Sequence, residues 1–440
     1  MQTYKDQDTR QDPSLSTIPP AVRQPPDDQP LRAVYHTTCC IVGGGPAGML
    51  LSLMLARQGI QVILLEAHAD FDREFRGDTV HPSVLEILDE LGMAEQVLQL
   101  RHTKIRQAAL PGLIKNPLVD FSRLKTRYPY VAMLPQADFL EYIAGEAQRY
   151  PHFQLMMGAN VHELIIEDGK ICGVCFQGKD GAYAVRSSLT IAADGRFSRV
   201  RKLAGIEPIK TSPPMDVLWF KLPRQPSDPE GGMGRFAKGH LLIALDRTDT
   251  WQLGYVIWKG SFQQVRAAGL ASLRQSIVEL MPALADRVDK LQDWKQLSLL
   301  SVESSRVRRW YKPGLLLIGD AAHAMSPVGG VGINYAIQDA VVAANVLSAP
   351  LRAGRVSLCH LAAVQRRREI PTRVIQGIQT LIQERVIAHG LNPQQVMTVP
   401  PLVRFLLRIP FVRDIPARLI GFGVWPVHVR HRSQDGRLAG

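Results

Sequence analysis

No stretch of about 18 apolar residues occurs in this chain, so no conventional transmembrane helix is expected. The N-terminus lacks the apolar core of a signal peptide. Residues 1–32 are rich in Pro, Gln, Asp and Ser and are read as a disordered leader. Cysteine is scarce: five in 440 residues, at 39, 40, 172, 175 and 359, an odd number without framework spacing. That excludes a disulfide scaffold. Cys172 and Cys175 form a C-x-x-C, but within an alternating, strand-like stretch (170–176). No second C-x-x-C or close histidine pair completes a metal site, so no metal is expected. Reduced, buried thiols are the default in a cytoplasmic protein, and the chain is read as cytoplasmic. No aromatic-interleaved basic motif and no nucleic-acid module is visible, so nucleic acid is not expected as a partner.

What is present describes an ordinary globular composition, 46% apolar and 21% charged. The length exceeds one typical core, so two or more lobes are expected. The net charge of +12 is unevenly placed. Residues 351–440 hold 14 Arg and no Lys against 4 Asp or Glu, a local excess of +10. The stretch 398–430 sets Arg between large apolar residues, as in Arg404-Phe405-Leu406-Leu407-Arg408. A basic amphipathic segment of this kind can lie on a membrane surface. It can equally be a terminal helix docked on the body of the protein.

The most informative stretch is Cys39-Cys40-Ile41-Val42-Gly43-Gly44-Gly45-Pro46-Ala47-Gly48. It predicts a buried strand, a glycine turn and a helix over 49–58, followed by a second apolar strand over 60–65 ending in Glu66. The glycines fall as G-x-G-x-x-G at Gly43, Gly45 and Gly48. Gly43 permits the tight turn, Gly45 lets a pyrophosphate approach the backbone, and Gly48 lets the helix pack closely. The helix N-terminus offers N–H groups and partial positive charge to phosphates. Glu66 stands 23 residues after Gly43, where a dinucleotide fold places the carboxylate for the ribose.

Further along, Arg73 and Arg76 follow the second strand and can reach a pyrophosphate or ribose. A helix is predicted over 82–91. Short strand-like pieces follow over 104–110 and 117–121, and a helix from 134 to about 150. Strands over 161–167 and 170–177 flank Asp168-Gly169, a hairpin signal. A buried strand over 189–193 runs into Asp194-Gly195. Residues 211–300 are strand-like, with pieces at 217–222, 240–245 and 251–258 and one helix over 261–279. A third buried strand, 315–318, enters Gly319-Asp320 and the segment to Asn334, before a long helix over 335–347 and helical segments over 352–390.

The G-x-G-x-x-G with Glu66, the Asp194-Gly195 turn, and Gly319-Asp320 through Asn334 occur in this order. Together the three resemble the group A FAD-dependent aromatic hydroxylases of the para-hydroxybenzoate hydroxylase type, over roughly residues 36–350. The resemblance implies an α/β protein: a GR2-type Rossmann-like FAD-binding domain, an inserted β-sheet substrate domain and a C-terminal helical region. The expected division is a leader at 1–32 and a discontinuous FAD-binding domain at 33–101, 136–210 and 299–350. A substrate domain at 102–135 and 211–298 and a helical region at 351–440 complete it.

The resemblance also implies the FAD contacts: Gly43, Gly45, Pro46, Ala47, Gly48, Glu66, Arg76, Gln136, Asp194, Asp320, Pro327, Gly330, Gly332, Ile333 and Asn334. Asp320 stands for the aspartate that accepts from a ribityl hydroxyl. Pro327 to Asn334 stands for the loop along the flavin ring, where a helix N-terminus stabilises reduced flavin. Val331 replaces the Gln or Lys of many relatives. His323 is expected to serve packing rather than catalysis, and no catalytic side chain is assigned.

The implied reaction consumes NADPH or NADH as transient reductant and dioxygen as co-substrate, through a C4a-hydroperoxyflavin. It hydroxylates or epoxidises an apolar aromatic or polycyclic small molecule. Only one G-x-G-x-x-G follows a strand, so no separate nicotinamide domain is expected. The W-x-W-x-I-P signature of flavin halogenases is absent. An oxidase, reductase or oxidative cyclase on the same fold is the alternative. The partners expected are a small apolar substrate, a peripheral membrane contact through 398–430 as an option, and a monomeric or homodimeric state.

Overall fold

The computed structural model describes residues 31–72, 78–109, 117–228, 231–237, 239–392, 394 and 409–430. Its largest sheet starts from the strand Ala33–Val42, whose last four residues are wholly buried. This strand pairs in parallel with Val62–Glu66 on one side and Gly181–Ala192 on the other. Phe153–Met157 and Leu315–Leu317 extend the parallel core outwards. Strands buried on both faces read as continuous apolar runs, as Val62-Ile63-Leu64-Leu65 does. The helix Pro46–Ala56 is apolar on all sides and buried from Ala47 to Ala56. It packs between Gln136–Gln148 and the long helix Gly332–Arg352. Because the central strands are parallel, their carboxyl ends share one edge, at Gly43, Glu66, Ala193 and Ile318. Ligands of open α/β sheets bind at such an edge.

A seven-stranded sheet forms the second lobe. Its order is Ser298–Ser301, Met215–Pro223, Thr250–Trp258, His240–Asp246, Gly232–Ala237, Gln107–Ala109 and Val119–Asp120. The chain before residue 121 and the chain after 211 therefore share one sheet. Strand alternation splits its faces. Leu218, Phe220, Leu222, Trp251, Leu253, Tyr255 and Ile257 pack under the helix Leu270–Leu280. Met215, Val217, Leu241 and Val256 face the other way, onto Val302, Ile387 and Leu391.

Several elements differ from expectation. The single helix over 261–279 is two, Phe262–Ala267 and Leu270–Leu280, broken at Gly269 with φ +87°. Gly232–Ala237 is a strand, although its glycines carry little strand propensity. The long helix begins at Gly332 and reaches Arg352. The Asp168-Gly169 turn has φ of +48° and +73°, the left-handed pair that a two-residue hairpin requires.

Residues 398–408 of the amphipathic tail lie outside the described residues. From 409 to 430 the chain folds back on the protein, with Ala417 fully buried among Ile105, Phe121, Val131 and Met133. Gln338 Nε2 donates to Phe422 O at 3.1 Å, and Asn345 Nδ2 donates to His428 O at 2.8 Å. No helix among the described residues is long and apolar enough to cross a membrane.

His81 ties this tail to the site. It is almost wholly buried, with Nδ1 at 2.7 Å from Ile420 O and Nε2 at 3.0 Å from Gly330 O. Burial pushes its pKa down to about 4, against the two carbonyls, which favour the cation. The unfolded chain takes up this proton near pH 6.5, and the folded chain only near 4. Stability is therefore retained above about pH 6.5 and lost as pH falls towards 4, by roughly 3 kcal/mol for this group. His81→Gln should flatten that component, which urea-unfolding free energies of both proteins between about pH 4 and pH 7 will show.

Candidate functional site

At the shared carboxyl edge lies a cavity of about 750 Å³, near the upper end of the roughly 300–1,000 Å³ usual for small-molecule sites. The structure brings most of the expected residues to it. Gly43, Gly45, Pro46, Ala47, Glu66, Gln136, Asp194, Asp320, Pro327, Gly330, Gly332 and Ile333 all line the cavity. Arg76 lies outside the described residues. Gly48 and Asn334 are not in the lining. The Asn334 side chain is fully buried, taking hydrogen bonds from Ser83 Oγ and, at 3.4 Å, from Gln338 Nε2. Val331 is also buried, against Tyr335 and Ile375.

The three motif glycines have distinct reasons for lacking a side chain. Gly43 has φ +107°, and a Cβ there would stand 2.4 Å from Ala193 O. A Cβ on Gly48 would meet Gly43 O at 2.0 Å and Ala193 Cβ at 3.2 Å. A Cβ on Gly45 would meet nothing within 4 Å. Packing thus explains Gly43 and Gly48, whereas Gly45 faces open space at a helix N-terminus. That vacant approach fits the pyrophosphate of FAD.

Glu66 is partly engaged by the protein itself. Its Oε2 accepts from Gly44 N at 2.7 Å and its Oε1 from His68 N at 3.0 Å, with His68 Nδ1 at 2.6 Å. These bonds hold the carboxylate beside the glycine turn. A carboxylate has about four acceptor sites, so ribose hydroxyls can share it.

Two further turns close the site, and buried side chains hold them. Asp194 caps the short helix Arg199–Leu203: its carboxylate accepts from Ser198 Oγ and, at 3.0 Å, from Val200 N. Burial pushes the Asp194 pKa up, opposed by those hydrogen bonds. Arg201, also buried, donates from Nη1 to Ala321 O and from Nη2 to Arg196 O, each at 2.9 Å. It thereby joins the Asp194 turn to the Gly319-Asp320 turn. The latter is fixed from behind by Asp339, whose Oδ2 accepts from Gly319 N at 2.9 Å and meets His323 Nε2 at 2.6 Å. Arg368 Nε donates to Asp339 Oδ1 at 2.8 Å. His323, Asp339 and Arg368 are each within 1% of complete burial. The contacts with His323 and Arg368 keep the Asp339 carboxylate below its usual range despite that burial.

Arg201, Asp339 and Arg368 escape a motif search, because each acts on a partner 20 to 120 residues away. Asp78 and Gln252 escape it too. Asp78 Oδ1 accepts from Gln136 N at 3.1 Å, and its carboxylate pairs with Arg247 of the substrate lobe. Arg247 donates in turn to Gln252 on the cavity wall. The rest of that wall is mainly apolar, with Met133, Trp219, Leu245, Leu300 and Val302.

A glycine turn, a carboxylate held beside it and two loops at the carboxyl edge of a parallel sheet form the arrangement of a dinucleotide-binding fold. The FAD binding domain family matches residues 36–377, and the chain belongs to it. It is 35% identical over 401 residues to the 6-methylpretetramide 4-monooxygenase of Streptomyces rimosus, covering 90% of this chain and 94% of that protein. It is 27% identical over 316 residues to the 12-dehydrotetracycline 5-monooxygenase/anhydrotetracycline 6-monooxygenase of Streptomyces rimosus subsp. rimosus, covering 68% and 60%. Among solved structures, the OxyS anhydrotetracycline hydroxylase from Streptomyces rimosus superposes with a TM-score of 0.70 at 26% identity, over 88% of this chain and 76% of that one. The chain is an FAD-dependent monooxygenase, with NAD(P)H as reductant and dioxygen as co-substrate.

The glycines provide a direct check. Gly45→Val should unfold within about 0.5 kcal/mol of the native apoprotein yet purify colourless, because only the ligand's space is filled. Gly48→Val should retain the approach but lose about 1–3 kcal/mol or more, through the clash with Gly43 O. Flavin content by absorbance and urea unfolding of the apoproteins separate the two effects.

Proposed function

We propose that this monooxygenase hydroxylates a fused-ring phenol of the pretetramide kind. The observation that carries this is the 35% identity to 6-methylpretetramide 4-monooxygenase across nearly the whole of both chains. The cavity supports it. Its cofactor end is built from backbone and the Glu66, Asp194 and Asp320 carboxylates, and it continues without a wall to the apolar face of the substrate sheet.

Bound FAD supplies the redox chemistry, taking electrons from NAD(P)H and activating dioxygen. One oxygen atom goes into a ring C–H bond and the other leaves as water, while NAD(P)H is oxidised. The chain's own contribution is placement and shielding. Gly45 and the N-terminus of the helix Pro46–Ala56 would hold the phosphates, and Glu66 and Asp320 would accept from hydroxyls of the cofactor. The Pro327 to Ile333 loop and the N-terminus of the helix Gly332–Arg352 line the cavity where the ring would lie, and partial positive charge there would favour a reduced, anionic ring. Met133, Trp219, Leu300 and Val302 keep water from the reacting face.

Holoenzyme, NADPH or NADH, and 6-methylpretetramide under oxygen-18 gas should give a product with one heavy oxygen atom. Substrate should speed nucleotide oxidation at least ~tenfold, about 1.4 kcal/mol of barrier. A product without the label would replace this reading with an oxidase or cyclase.

The tail supports a second, separate proposal, that it touches an anionic membrane surface. Phe411 is 72% exposed, near Ile409 and Ile415, with Arg413 and Arg418 in the same segment. Flotation of the full chain with anionic liposomes tests it. Phe411→Ser should reduce the floated fraction severalfold, and no flotation of the native protein would end the idea.

A further inference from the structure

The geometry points to Gly254 and Trp219 as one device. Trp219 is the platform on which a flat, fused-ring substrate stacks, and Gly254 sets the depth of cavity above it. This rests on the proposed hydroxylation of a fused-ring phenol and names the residues that would select such a substrate.

Trp219 and Gly254 stand directly opposite each other, on the antiparallel strands Met215–Pro223 and Thr250–Trp258. Directly opposite residues project from the same face. A Cβ on Gly254 would lie 2.9 Å from Trp219 Cζ3, 3.0 Å from Cη2 and 3.2 Å from Val217 Cγ1. The six-membered ring of the indole therefore lies against the Gly254 backbone. Glycine in the interior of a strand weakens it and often marks a close approach. Gly254 does not have a positive φ, so the turn chemistry that excuses other glycines does not apply. What remains is the space that the indole takes.

Burial separates this tryptophan from its neighbour. Trp251, on the same strand as Gly254, is 1% exposed on the opposite face, and its Nε1 donates to Asp228 Oδ2 at 2.8 Å. It is core. Trp219 is only partly buried and lines the cavity beside Leu300 and Val302. An indole pressed against the strand keeps the cavity deep and presents an aromatic surface to a planar ligand. Offset stacking between aromatic rings adds to plain burial. One methyl group at position 254 would lift the indole off the strand and into the cavity. A substrate of several fused rings loses contact area through that change, whereas a single-ring phenol does not need the full depth.

The experiment uses FAD-loaded protein and two probes, tetracyclic anhydrotetracycline and single-ring para-nitrophenol. Binding is read from the perturbation of the flavin spectrum. Gly254→Ala should weaken anhydrotetracycline by about tenfold, the upper range of an aromatic stacking contact, and para-nitrophenol by less than about threefold. Trp219→Leu should do the same without altering position 254. In Gly254→Ala/Trp219→Phe the smaller ring removes the clash, so the double variant should bind anhydrotetracycline like Trp219→Phe alone. A general loss of structure would weaken both probes alike and would not be repaired. Equal losses for both probes, strictly additive losses, or native affinity in Trp219→Leu would each overturn the inference. If Gly254→Ala does not fold, Trp219→Leu and Trp219→Phe still decide it. If the native protein binds neither probe, the fused-ring proposal and this inference fall together. If it binds anhydrotetracycline and the variants do so equally well, only this inference falls.

Discussion

A buried carboxylate holds this site together. Asp339 lies in the long helix Gly332–Arg352, without solvent access, and its two oxygens hold three groups from two places in the chain. Gly319 N belongs to the loop that carries Asp320, His323 to the residues just after it, and Arg368 to the helix Leu358–Ile382. A lone charge in such a place would cost several kcal/mol. Here the desolvation is offset only because all the partners are present together. Arg368 adds a second contact, its guanidinium 5.1 Å from the centre of the Tyr335 ring. The Gly319-Asp320 loop at the cavity is thus fixed from behind by buried groups.

A similar logic repeats on the other side of the cavity. Arg201 bridges two loops by donating to two backbone carbonyls, and Asp78 reaches across to Arg247 of the substrate lobe. Loops at the edge of a parallel sheet have few backbone partners of their own. Side chains of long reach supply what the missing ladder does not. The effect is a cavity edge whose loops are held by buried ion pairs and by side-chain bonds to backbone carbonyls.

This explains what could be read from the sequence. The glycine turn is legible because its constraints are local: φ at Gly43, packing at Gly48 and vacancy at Gly45 all act within a few residues or on the adjoining strand. The Asp194-Gly195 and Gly319-Asp320 turns are legible for the same reason. The Asp168-Gly169 hairpin is legible because its two left-handed residues announce it. What was not legible depends on distance along the chain. Nothing near Asp339 foretells Arg368, and nothing near His81 foretells Ile420, 339 residues on. Gly269 shows a subtler failure. The apolar period runs on through the break, so the pattern suggested one helix where backbone geometry allows two.

The same division explains why the substrate was harder to infer than the cofactor. The face proposed to hold FAD is built largely from the glycine turn and the loops at the sheet edge, whose constraints are local. The face opposite it is one side of an antiparallel sheet. Its residues alternate with those packed under the helix Leu270–Leu280, and that helix constrains only its own side. Trp219, Gln252 and Leu300 can therefore be exchanged without disturbing Phe220, Leu253 or Trp251 behind them. A surface free to vary in this way carries no motif, because each substrate needs its own combination. Its specificity is recorded in depth, polarity and ring contacts, which exist only once the strands are paired. Motifs therefore suffice to propose where the cofactor lies, whereas the substrate wall must be argued from register and contact.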